Sequence, residues 1–251
     1  MRESGVARPL SLLLSHPAMP TETFAQRRAA LICAVIIFGL AFDQHVPFWG
    51  QHLTNAGVWT LLLYWIRVAP REQQLTLIVC LAYATAGECF LSLAWGLYDY
   101  RLGNIPAFVP PGHALLFMLG AMITAYMRDW ITWFVPLAAA PFVVFLAVIG
   151  VDTFGLVMFA LLLACMALSR ARKLYAVMFV LALAMEIYGT ALGNWAWRPV
   201  APWLEMATIN PPLTAGVFYC VLDMLVVTTV AWLMKRRKLV ERKAVLAEQL
   251  K

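Results

Sequence analysis

Eight apolar runs, most of them close to the length that crosses a bilayer, limit what this chain can fold into. A helix needs about 20 predominantly apolar residues to span the hydrocarbon, since no water there can take up unbonded peptide groups. Runs over 29–48, 53–68, 75–100, 110–126, 131–149, 152–168, 174–193 and 211–234 approach or reach that length, with 53–68 the shortest and most amphipathic. Their continuity argues against a membrane β-barrel, whose strands alternate in polarity. Of the 251 residues, 63% are hydrophobic and 13% charged, whereas a soluble domain is about half apolar and about a quarter charged. The expected fold class is all-α, a polytopic transmembrane helical bundle of about eight helices, with the lipid bilayer as its first partner.

The net charge of +6 does not call for nucleic acid, because the basic residues sit at the ends of the apolar runs. Lys and Arg are retained on the cytoplasmic side of a membrane. With the N-terminus inside, the inner connections hold Arg27 and Arg28, Arg67 and Arg71, Arg128, Arg170, Arg172 and Lys173, and then Lys235 to Lys238; the outer ones hold only Arg101 and Arg198. This predicts a multi-pass protein of the cell membrane with both termini cytoplasmic. Residues 1–26 read as a mobile tail, with Met19 as an alternative start; residues 27–235 read as the membrane domain, and 236–251 as a basic cytoplasmic tail with helical patterning. Cys33, Cys80, Cys89, Cys165 and Cys220 all fall in apolar runs without CxxC spacing, and read as small core residues.

Two stretches resemble one another. From Gly87 to Phe117 and from Met185 to Asp223, a carboxylate inside an apolar helix is followed by an aromatic, Asn- and Pro-containing connection and a restart at Pro-Pro. Glu88 with Glu186, and Pro110-Pro111 with Pro211-Pro212, recur at a near-constant offset, which suggests a four-plus-four duplication over 29–127 and 130–234. An even number of spans per copy gives both halves the same orientation.

An ionisable residue inside a spanning helix is costly, and normally faces the bundle interior with a partner or a task. The set here is Asp43, Glu88, Asp152, Glu186 and Asp223. Thr85, Glu88, Ser92, Trp95 and Asp99 recur at helical spacing, as do Glu186, Thr190, Gly193 and Trp197, so each set is expected to share a face. Glu88, Glu186 and Asp223 are the candidate catalytic residues; the alternative is that each only bonds a neighbouring helix. Tyr98, Tyr100, Trp195, Trp197 and Trp203 suit the headgroup level. With Asn104, Asn194 and Asn210 nearby, and Tyr219 on the last helix, these connections are also expected to roof a substrate pocket. Asn210 and Pro211 read as N-cap and first-turn residues of the last helix. His113 follows Pro110-Pro111 in a first helical turn and reads as a hydrogen-bonded interior histidine. Four scattered histidines do not argue for a metal, and no HExxH, Gly-rich phosphate loop or GxSxG motif implies a cofactor or hydrolase chemistry.

The segments YDYRLGNIPAFVPPGHALLF and GNWAWRPVAPWLEMATINPPLTAGVFY resemble the membrane-embedded carotenoid-biosynthesis family that includes the bisanhydrobacterioruberin hydratases. Tyr98, Tyr100, Val109 and Pro110 match its first pattern, and Trp195, Trp197, Asn210 and Pro211 its second. The resemblance implies an enzyme acting on an isoprenoid by hydration, cyclisation or isomerisation of a double bond. Such chemistry needs a proton donor in an apolar pocket, which burial helps keep protonated, and a second carboxylate to take the returning proton. It also needs aromatic faces that stabilise a passing cation. Glu88, Glu186 and Asp223 supply the first set, and Trp95, Tyr98, Trp195 and Trp197 the second. A proton-coupled transporter would use the same carboxylates, and a non-catalytic lipid-binding or assembly protein would need none of them.

Overall fold

A computed structural model describes residues 22–249 and consists of eight α-helices with two minimal sheets. The expectations for residues 1–21, including a start at Met19, lie outside the described residues. The helices are α1 (Glu22–His45), α2 (Gly50–Val68), α3 (Arg71–Glu88), α4 (Val109–Tyr126), α5 (Ile131–Val148), α6 (Thr153–Leu168), α7 (Arg172–Leu192) and α8 (Gly216–Gln249). Six of them, α1, α3, α4, α5, α7 and α8, are long and apolar enough to cross a membrane. The protein is therefore a multi-pass integral membrane protein. The shorter apolar α6 and the more amphipathic α2 pack into the same bundle.

Core and periphery separate clearly. In α4 61% of the spanning window is buried and in α7 50%, against 11% in α1 and 17% in α5. The centre is formed by α4 and α7 packed against each other and against α3 and α8, with the α1–α2 and α5–α6 pairs outside. Large apolar side chains on the outer pairs, such as Phe38, Phe42, Leu63, Leu137, Phe142 and Phe145, are exposed and suit contact with lipid. The α1–α2 turn is tight enough to require glycine: a Cβ on Gly50 would lie 2.1 Å from the Phe42 carbonyl oxygen. That close approach folds α2 directly back on α1.

Polar contacts define the two ends of the bundle. At one end Asn194 Nδ2 donates to Asp43 Oδ2 at 2.7 Å, the Arg101 guanidinium also meets Asp43, and Thr153 donates to the Ala207 carbonyl. This ties the end of α1 to the α3–α4 and α7–α8 connections, and the start of α6 to the latter. At the other end Lys173 Nζ lies 2.8 Å from Asp129 Oδ1; the hydrogen bond and charge of Lys173 hold the Asp129 carboxyl below its ordinary value. Arg67, Arg71, Arg128 and Arg172 also stand at termini of helices belonging to this second end.

The third helix differs from its expected course. It does not run to Tyr100 but passes at Cys89 into a π-helical turn, Cys89–Ala94, and stops at Gly96, whose φ of 71° is left-handed. The chain then becomes strand β1 (Tyr98–Tyr100), antiparallel to β2 (Trp195–Trp197), with Tyr98 opposite Trp197 and Tyr100 opposite Trp195. Trp95 and Asp99 therefore do not continue the helical face of Glu88, because the wider π turn and the strand break the three- and four-residue spacing. A second two-residue pair, β3 (Val200–Ala201) with β4 (Met206–Ala207), folds the remainder of the α7–α8 connection. The last helix also differs: it begins at Gly216, after a turn over 211–215, and continues unbroken to Gln249. Asn210 precedes a cis bond to Pro211 and does not cap α8; its Oδ1 accepts from the Trp197 backbone N–H at 3.0 Å instead.

Candidate functional site

The short strand pair brings the aromatic residues of both connections over the two glutamates. Alternation along a strand turns Tyr98 and Tyr100 to one face and leaves Asp99 on the other. The same holds for Trp195 and Trp197 around Ala196. Both tyrosine hydroxyls donate to Glu88 Oε2, each at 2.8 Å. Both indoles donate to Glu186 Oε2, Trp195 at 2.7 Å and Trp197 at 2.9 Å. Each carboxyl group is thus held by two side chains that stand two positions apart on the strand following its own helix, and the paired strands relate the two arrangements by a local two-fold.

Glu88 and Glu186 line one cavity, partly open on one side. Its floor and walls include His113, Tyr219, Met185 and Phe108, and its outer wall is Val35, Ile36, Gly39, Thr54 and Val58 from α1 and α2. Glu186 is buried and Glu88 partly exposed. Tyr219 Oη donates to Glu186 Oε1 at 3.4 Å, while Glu88 Oε1 accepts no hydrogen bond among the described residues. A shallower groove between α1 and α2, lined by Val35, Gly39, Phe42, Leu53, Thr54, Gly57 and Val58, shares four of these residues with the cavity. The groove and the cavity therefore share one wall, built from α1 and α2. Within that wall Thr54 donates to the Gly39 carbonyl at 2.9 Å, and the two helices meet closely there.

Asp223 is fully buried but does not line the cavity. Its Oδ1 lies 3.2 Å from His113 Nε2, and Oδ2 has no hydrogen-bond partner. His113 stacks on Tyr219 with ring centroids 4.7 Å apart and planes 5° apart, which fixes the imidazole between the cavity and Asp223. Cys80 comes up from α3: its sulfur, a His113 ring nitrogen and an Asp223 carboxylate oxygen all lie within 4.8 Å of one another.

Of the residues singled out from sequence, Glu88, Tyr98, His113, Glu186, Trp195 and Tyr219 meet at the cavity. Trp197 touches it through Glu186. The others lie elsewhere. Trp95 stacks on Trp203 and donates to the Pro202 carbonyl. Asp99 is exposed and paired with Arg198 at 3.1 Å. Asn104 donates to Gln51 at the bundle surface, and Asn194 holds Asp43. Asp152 caps α6, accepting from the Gly155 N–H at 2.9 Å. Cys80 and the α1–α2 wall were not foreseen as site residues; Tyr100, one of the aromatics expected to roof the pocket, does line it. Tyr100 carried a signal, since its two-residue spacing from Tyr98 matches Trp195 and Trp197; the aliphatic wall carried none.

Comparison with protein-family models, with curated proteins and with solved structures gives no match for this chain.

Proposed function

We propose that this chain is an integral membrane enzyme that protonates a carbon–carbon double bond of an isoprenoid or related lipid, and so hydrates, cyclises or isomerises it. The observation that carries this reading is that Glu88 and Glu186, from two different helices, line a single apolar cavity walled by aromatic and aliphatic side chains. A membrane helix retains an ionisable group at a cost, and two aimed at one apolar space need a common task.

Glu88 is the acid. Its Oε2 takes both tyrosine hydroxyls, so Oε1 is the oxygen left to carry the transferable proton. On transfer, the π pair of the double bond forms the new C–H bond, and the adjacent carbon becomes a cation. The ring faces of Tyr98, Trp195 and Tyr219 stabilise it. Loss of a neighbouring proton to Glu186 completes isomerisation or cyclisation; capture of water followed by loss of its proton to Glu186 completes hydration. Passage of that proton back to Glu88 resets the pair. Asp223, set behind His113, does not touch the substrate.

The substrate enters sideways from the bilayer through the groove between α1 and α2. The basic end of the bundle faces the cytoplasm of the cell, so the cavity sits in the outer half of the membrane. Lipids extracted from cells carrying the native protein, no protein or the Glu88→Gln form test the chemistry. The amide keeps size and most hydrogen bonding but has no acidic proton, and turnover should fall about a hundredfold or more. Lipid profiles that remain native in both Glu88→Gln and Glu186→Gln would overturn the acid–base reading.

A further inference from the structure

Three potential metal ligands converge around one buried carboxylate. Cys80 on α3, His113 on α4 and Asp223 on α8 are all buried, Cys80 and Asp223 completely. A carboxylate sealed among apolar helices is costly unless paired or bound to a metal, yet His113 is the one basic group that meets Asp223 among the described residues. Asp223 Oδ2 is left without any hydrogen bond. A divalent cation bound here gives a neutral site: the thiolate and the carboxylate carry two negative charges that the cation cancels, with the imidazole as a neutral third ligand.

We propose that Cys80, His113 and Asp223 bind a zinc ion between α3, α4 and α8. Sulfur, imidazole nitrogen and carboxylate oxygen together form a donor set that suits zinc better than the harder calcium or magnesium. At bond lengths of about 2.0–2.3 Å, ligands of a tetrahedral zinc stand about 3.3–3.6 Å apart. His113 Nε2 and Asp223 Oδ1, at 3.2 Å, are already at that separation. No pair in the set exceeds 4.8 Å, so the cysteine side chain has to close by about 1 Å, within reach of a small rotation about its Cα–Cβ bond. Binding displaces the Cys80 thiol proton, and the sulfur lone pair freed by that loss forms the Zn–S bond. Stacking on Tyr219 holds the imidazole in the required plane. Three protein ligands leave the fourth position to a water molecule. The site clamps α3, α4 and α8, of which α3 packs against both of the others, and it stands independently of the lipid chemistry proposed above.

The test uses the full chain purified in detergent without chelators. Elemental analysis should find one zinc per chain, falling to background in Cys80→Ala and in Asp223→Asn. A form with Cys33, Cys89, Cys165 and Cys220 changed to Ala should keep the metal. After stripping, titration with Co²⁺ should give a thiolate-to-cobalt charge-transfer band in the native chain and in that four-alanine form, but not in Cys80→Ala. Native protein that contains no zinc and takes up no Co²⁺ overturns the proposal, whether or not the variants fold. Retention of both metal and band in Cys80→Ala overturns it equally.

Discussion

Gly189→Ala should disrupt the roof of the cavity although it adds a single methyl group. A Cβ at Gly189 would lie 2.0 Å from Trp195 Cη2 and 2.3 Å from Cζ2, where carbon atoms in contact stand about 3.5–4.0 Å apart. The indole has little room to yield: it is buried, and its N–H is bonded to Glu186 Oε2 at 2.7 Å. Overpacking costs about 1–3 kcal/mol, and losing the indole–carboxyl hydrogen bond costs about 1–3 kcal/mol more. Replacing a helical glycine by alanine returns about 1 kcal/mol, so the net loss is about 1–5 kcal/mol. The assay is reversible unfolding in mixed micelles as a double-mutant cycle with Trp195→Phe. Phenylalanine lacks the outer ring atoms that the new methyl would strike, so Gly189→Ala should be neutral or stabilising in that background. Equal cost in both backgrounds would refute the packing of Trp195 on α7.

Gly57 has no atom within 4 Å of its would-be Cβ and lines the α1–α2 groove; Gly57→Phe should therefore leave the fold intact while slowing lipid turnover, read from the same lipid extracts. Asp43 and Asp99 should behave differently despite each pairing with an arginine. Asp43 is 2% exposed and holds Asn194 as well as Arg101, so Asp43→Ala should cost about 2–4 kcal/mol after discounting the partly exposed Arg101. Breaking the exposed Asp99–Arg198 pair by Arg198→Ala should cost no more than about 1 kcal/mol in the same unfolding assay. A cysteine placed at Ala107, in a chain without its native cysteines, should react with an impermeant thiol reagent from outside intact cells; reaction only after permeabilisation would reverse the orientation.

The bundle was legible because the bilayer demands long apolar helices, and because carboxylates inside them are rare enough to notice. Glu88 and Glu186 stood out on that ground, and their shared cavity follows from helices whose packing the sequence pattern only suggested. The connections were harder to read. A six-residue π turn at Cys89–Ala94 and three-residue strands have no periodicity of their own, so Trp95 and Asp99 were expected on a helical face that ends before them. Asn210-Pro211 has the residue types of a helix start, but Asn210 is engaged by the Trp197 backbone, and the helix begins only at Gly216. Cys80 was invisible for another reason: its meeting with His113 and Asp223 depends on how three helices pack, and a cysteine in an apolar run looks like any other small core residue.

Solvent-deuterium labelling tests the proton transfer at its origin. The purified protein, reconstituted with apolar lipids extracted from cells that lack it, is incubated in D₂O, and the lipids are analysed by mass spectrometry after back-exchange in H₂O. Deuterium bound to carbon survives the back-exchange, whereas deuterium on oxygen does not. The account predicts one isoprenoid-type lipid that gains carbon-bound deuterium with the native chain and not with Glu88→Gln. No carbon-bound label in any lipid, or the same label with Glu88→Gln, would contradict it.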